Sequence, residues 1–345
     1  MIASDAPLKN VGTLCHLCRS PSIEPLLTTA VSSRKHCAPH VDRIQKKLEL
    51  SRDKFDILGN DNTSLDARMK KRRDITLADI SRWRSFGLGT GTSAEYRPWL
   101  TIRDVPSRGR KSRPWGITTG RVHHLLSDNE LHFFLCADQA AQVLDIREQY
   151  PLFPQESTLQ IAANLGIRHP YYPRSTTPVV LTTDFVLTIR RPDGTNGLRA
   201  YSIKSSQEFR ERGALRVLEK LELERRYWCA LNVPWSIVTE REFDNVRIAN
   251  LEWLSHSVYA KCDIPLERLS EFLQFVVTSW TDQRPLSDML DLATAMLGLQ
   301  SRDVADRLFR YCVWRRLVEV DLRKKVSLRA PVDIRCVNRA FAAEV

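Results

Sequence analysis

A chain of 345 residues, 43% hydrophobic and 27% charged, has the make-up of a globular protein in water and room for two or three domains. No run of 18 or more apolar residues occurs, which argues against a helical membrane span; MIASDAPLKNVG lacks the apolar core of a secretory signal, so the expected location is the cytoplasm. The net charge of +11 is uneven: residues 1–125 carry 23 Lys/Arg against 12 Asp/Glu, the rest is balanced, and RMKKRRD (68–74) and SRGRKSR (107–113) form a basic footprint suited to nucleic acid.

In chain order, residues 1–45 hold CHLC and then HCAPH. Cys15, Cys18, Cys37 and His40 form a C-x₂-C-x₁₈-C-x₂-H pattern, two ligand pairs separated by a loop, as a tetrahedral Zn²⁺ site needs. His36 or His16 are alternatives for one position. The other cysteines, 136, 229, 262, 312 and 336, stand in apolar contexts and read as core residues. Residues 46–82 read as a basic arm or linker, with a short helix in IQKKLELSRDKFDILG and a helical pattern resuming at DITLADISRWRSFG. GLGTGTSAEYRPWL is glycine-rich, lacks the GK[ST] of a phosphate-cradling loop, and reads as a linker.

RVHHLLSDNELHFFLCADQAAQVL predicts a helix with Ser127 as N-cap. A short strand, DIREQYPLF, follows, in which Arg147, Glu148 and Gln149 read as sheet or site-wall residues. A hairpin in TTDFVLTIRRPDGTNGLRAYSIKSS comes next, then a long helix from SQEF to WCAL and a strand in VPWSIVTE. Helix, strand, hairpin, helix, strand predicts an α/β core with a mixed sheet over 83–258. Three helical patterns and a terminal hairpin, VEVDLRKKVSLRAPV, predict a winged-helix-like module over 263–345.

The hairpin sets Asp184 near Ser202 and Lys204, which share one face because residues two apart in a strand do. An acid on one strand and [acid or amide]-x-Lys on the next is the constellation of restriction-endonuclease-like nucleases, in which carboxylates hold a divalent metal against a phosphate. The competing reading is a cross-strand ion pair. Glu130 is a further candidate ligand, although Ser127-Asp128-Asn129-Glu130 also spells a capping box. His123 and His124 read as structural.

YRPWLTIRDVPSRGRK, GRVHHLLSDNELHFFL, VLDIREQYPL, TTDFVL and LEKLELERRYW together resemble the TnsA endonuclease subunits of heteromeric bacterial transposons, in the same order and over about 83–255. The resemblance implies a restriction-endonuclease-like catalytic domain with a C-terminal winged-helix-like domain. It implies Mg²⁺-dependent cleavage of the transposon 5′ ends, beside a DDE-type transposase that cuts the 3′ ends and an AAA+ ATPase regulator. It makes Glu130, Asp184 and Lys204 the catalytic residues. Ser202 stands where family members carry glutamine, so it would reach a metal only through water. Glu224 matches another acidic family position, but reads equally as a solvated residue on a helix face, the reading preferred here. Two other functions fit the sequence: a catalytically degenerate adaptor linking transposase and ATPase, and a stand-alone restriction or repair nuclease.

Overall fold

The computed structural model describes residues 74–105, 109–258 and 265–338, all within one compact unit, Phe55–Val345. The cysteine–histidine set, the helix expected at 44–59 and most of the basic arm lie outside the described residues.

The first helix, α1 (Leu77–Ser85), opens on a capping box: Thr76 accepts from Asp79 N while the Asp79 carboxylate accepts from Thr76 N. It runs across position 82, where the sequence places the boundary between arm and core. The glycine-rich stretch after it is a loop, as expected, but is packed rather than free. A Cβ on Gly89, at φ +76°, would stand 2.2 Å from Pro151 Cγ. Tyr96 and Trp99 are buried behind it.

A small ribbon, β1 (Trp115–Gly116) with β2 (Arg121–Val122), leads into α2 (Asp128–Gln139). The main sheet follows: β3 (Val143–Pro151), β4 (Thr182–Arg190), β5 (Asn196–Ile203) and β6 (Trp235–Val238), in that spatial order. β3, β4 and β5 are antiparallel neighbours and β6 runs parallel to β5. A parallel neighbour requires a crossover, supplied by α4 (Ala214–Ala230). The mixed sheet is therefore as expected from the sequence.

Alternation along the strands feeds two helical layers. Phe185 and Tyr201 pair across β4 and β5, and the Phe133 ring of α2 lies 4.9 Å from each. The next pair, Val186 and Ala200, packs with Leu223, Tyr227 and Trp228 of α4 and with Ala162 of α3 (Gln155–Leu165).

Beyond the sheet come α5 (Asn245–Val258), α6 (Leu266–Ser279), α7 (Leu286–Met296) and α8 (Arg302–Trp314). An antiparallel ribbon of β7 (Val318–Val320) and β8 (Ile334–Val337) ends the described chain. Three helices and a ribbon appear in the expected order, the second strand lying just beyond the stretch expected to hold it. Cys136 and Cys312 are buried as expected; Cys229 and Cys336 are exposed, being carried at a helix end and on a two-stranded ribbon where no layer covers them. Cys262 lies outside the described residues.

Candidate active site

Three elements converge at the end of the sheet where β4 begins and β5 ends. Asp184 is the third residue of β4, and Ser202 and Lys204 lie at and just past the end of β5. The Lys204 amide donates to Val238 O, continuing the parallel ladder and fixing the backbone there. Asp184 Oδ2 accepts from Ile203 N at 2.6 Å and from Lys204 Nζ at 2.7 Å. Lys204 Nζ also donates to Ile203 O. The cross-strand ion pair is thus real, and it sits inside a larger charged cluster.

Glu130 is delivered by the first turn of α2. Its backbone N–H donates to Ser127 Oγ; its carboxylate accepts from Leu126 N at 2.9 Å, from Ser127 Oγ and from Gln149 Nε2 at 3.3 Å. The cap therefore forms, with the residue before Ser127 giving the amide. The same buried carboxylate faces Asp184 and Lys204. Burial first, and then the Asp184 anion, push its pKa up to about 7, against the pull of Leu126 N–H and Lys204. Gln149, on β3, has φ +48°, a region unusual for a residue with a side chain and common where function fixes the backbone. Its carbonyl accepts from Trp99 N, and its amide reaches Glu130.

Glu224 corrects the sequence reading: it is buried within α4, not solvated. Ser202 Oγ donates to it at 2.5 Å and Thr183 Oγ1 at 3.2 Å. Each hydroxyl accepts in turn from an indole: Trp235 Nε1 on Ser202, and Trp228 Nε1 on Thr183. Burial raises the Glu224 pKa to about 7, with Lys204 opposing and Asp184 adding to the rise. The Lys204 ammonium stays above the ordinary lysine range: burial opposes its charge, but Asp184 and then Glu224 outweigh that. The sequence did hold a signal. Glu224 falls on the stripe of Leu221, Tyr227 and Trp228, so its spacing puts a carboxylate where an apolar residue belongs.

Behind the site, Glu148 is fully buried. It accepts from both Arg121 terminal nitrogens, is bonded to His123 Nδ1, and accepts from His124 N. Despite burial, His123 and Arg121 hold its carboxyl far below the usual range. His123 is accordingly a structural residue, tying the ribbon to β3, as the sequence suggests.

Among the described residues no three His, Cys, Asp or Glu side chains are gathered as a ready ligand set. Two carboxylates are nevertheless available to a cation. Asp184 Oδ1 accepts no hydrogen bond among the described residues, and Glu130 meets three donors with about four acceptor sites. One or two free carboxylate oxygens suit a hard ion that keeps most of its waters, the habit of Mg²⁺.

A mixed sheet flanked by helices, with Asp184 and Lys204 at one end of its strands and Glu130 on a flanking helix, is consistent with a nuclease-like α/β core. The family model described as the TnsA-like endonuclease N-terminal domain matches residues 140–240. The transposon Tn7 transposition protein TnsA of Escherichia coli is 41% identical over 209 residues, which cover 59% of this chain and 74% of that protein. The chain belongs to the TnsA-like endonuclease family, and among the described residues no helix is long and apolar enough to cross a membrane.

Proposed function

We propose that this protein is the metal-dependent DNA endonuclease subunit of a transposase and cleaves the 5′ ends of its transposon. The observation that carries this reading is the meeting of Glu130, Asp184 and Lys204, from α2, β4 and β5, in one electrostatically coupled cluster. Asp184 Oδ1 and the remaining acceptor site of Glu130 would hold Mg²⁺. When bound, the ion polarises the scissile phosphate and makes water acidic enough to attack. Lys204, kept protonated by Asp184 and Glu224, sets a fixed positive charge beside the phosphate as negative charge develops. Ser202 spans Glu224 and Trp235, so its part is to hold the acid that faces Lys204.

Around this core the reading places a zinc module at 1–45 (Cys15, Cys18, Cys37, His40), a basic arm at 46–82, the catalytic domain at 83–258 and a winged-helix-like domain at 263–345. The partners are transposon-end DNA, a DDE-type transposase and an AAA+ ATPase, in the cytoplasm. The test is strand cleavage with the transposase present: Asp184→Ala should abolish 5′ cuts while 3′ cuts continue. Persistent 5′ cuts sink the assignment. Elemental analysis of the full chain finding no zinc removes the zinc module alone.

One observation favours a second reading, a catalytically silent adaptor between transposase and ATPase. Asp184 is already paired with Lys204, and the resemblance implies a glutamine where Ser202 stands. Joining of 3′ ends without any 5′ cleavage by the unaltered protein would establish that reading instead.

A further inference from the structure

An open groove of about 780 Å³ lies between α4 and the loop that follows α3. The loop contributes Arg168, Tyr171 and Arg174; α4 contributes Arg216, Glu219 and Lys220. Four cations thus face one carboxylate, and that carboxylate is paired with Arg216 on its own helix at 2.6 Å. The loop is pre-formed: Tyr171 bridges Pro178, Tyr172 N donates to Thr177 O, Val179 N donates to Pro170 O, and Ser175 Oγ donates to Ile75 O beside α1. A binding wall built this way needs no ordering when a ligand arrives.

The groove leads to the candidate site. Arg216, Lys220 and Glu224 are spaced by four along α4, so they form one row that steps about 6 Å at a time towards the carboxylate cluster. Lys220 and Lys204 are near enough to repel: partial burial, then Arg216 and Lys204, pull the Lys220 pKa below its ordinary value. Like charge is crowded along this row. It suits a polyanion that lies along the row and neutralises it.

We propose that this groove holds the sugar–phosphate backbone of the DNA strand running away from the cleaved phosphate, with Lys220 and Arg216 on one wall and Arg168 and Arg174 on the other. The proposal rests on the nuclease reading for its direction, since that reading places the scissile phosphate at Asp184. Tyr171 is 44% exposed at the rim, an apolar surface for a sugar or a frayed base.

The test uses the full chain and a fluorescein-labelled linear duplex, with affinity measured across a salt series. Replacing both cations in Arg168→Gln/Lys220→Gln should weaken binding whatever the duplex sequence and lower the slope of log affinity against log salt by about 2, about one per phosphate contact. Arg190→Gln/Arg191→Gln removes the same charge at the far end of β4 and should leave the slope unchanged. Equal slopes in all three proteins overturn the proposal, as does an unaltered chain that fails to retain the duplex at low salt. Displacement of the duplex by stoichiometric ATP also overturns it, in favour of a free-nucleotide site. Failure of the nuclease reading looks different: Asp184→Ala keeps cutting 5′ ends while the groove variant still changes the slope.

Discussion

The surroundings of Ser202, where the family resemblance implies a glutamine, account for the residue present. Its hydroxyl is completely buried, accepts the Trp235 indole N–H and donates to Glu224. Ser202→Ala would strand a buried N–H and strip a donor from a buried carboxylate, costing about 1–3 kcal/mol; a lower melting temperature with unchanged secondary structure is the expected result. The two raised glutamates make a second prediction, about pH. Glu130 and Glu224 have folded pKa values of about 7, above the carboxyl value of the unfolded chain, so the folded state holds protons more tightly. Their contribution to stability is complete below the unfolded carboxyl value and is lost as pH rises through 7, on the order of 3 kcal/mol for each. With metal chelated, the protein should therefore melt higher at pH 5.5 than at pH 8, and Glu130→Gln should flatten the difference. Mg²⁺ should raise the melting temperature more at pH 8, where both acids are ionised, than at pH 5.5; equal effects at both would place the ion elsewhere.

At the scale of the element, the Arg121–Glu148–His123 cluster fastens the β1–β2 ribbon, and through it the start of α2, to the sheet. Glu148→Gln keeps the shape but leaves the Arg121 guanidinium buried without its anion, a change costing about 3–5 kcal/mol. Hydrogen exchange in β1, β2 and the first turn of α2 should speed up before that in β4 and β5, and 5′ cleavage should fall because Glu130 loses its footing. Strands and helices with a clean period were legible in the sequence: the β4–β5 hairpin from its turn residues, α2 from Ser127, and α4 from its apolar stripe. Others were not, among them the β1–β2 ribbon and α5. α3 begins after Pro154 with no side-chain cap, and its one clear signal is Gly166, which ends the helix at φ +62°. The start of α4 was misplaced because Ser205 and Glu208 do form a capping box, but over the short turn Ser206–Phe209; the helix proper begins after Gly213. Of the candidate site, Asp184 and Lys204 were readable from their strands, whereas Glu130 needed the family resemblance, since its spacing spells a cap and the cap forms. Gln149 could not be recognised as a partner of Glu130, because nothing in the residue spacing announces its left-handed backbone.

Across the whole molecule, α5 joins what the sequence divides. It packs on α2 on one side and on α8 on the other, and Leu251 and Leu254 are completely buried between them. Buried Asn250 donates to Leu322 O and Lys324 O and accepts from Val326 N, holding the segment between β7 and β8. Arg310 of α8 lies 3.8 Å over the Trp253 ring and donates to Trp253 O. A chain ending at 258 would keep the sheet and every candidate catalytic residue, yet expose the side of α5 that α8 covers and leave the Asn250 amide without its carbonyls. Each fully buried leucine is worth about 1.5–3 kcal/mol of removal from water, so the loss is large beside the stability of a domain. Such a fragment should aggregate or bind hydrophobic dyes where the longer chain does not. A soluble, monomeric 74–258 fragment that melts cooperatively at the temperature of the full chain would show that the catalytic core stands alone and that α5 is only a connector.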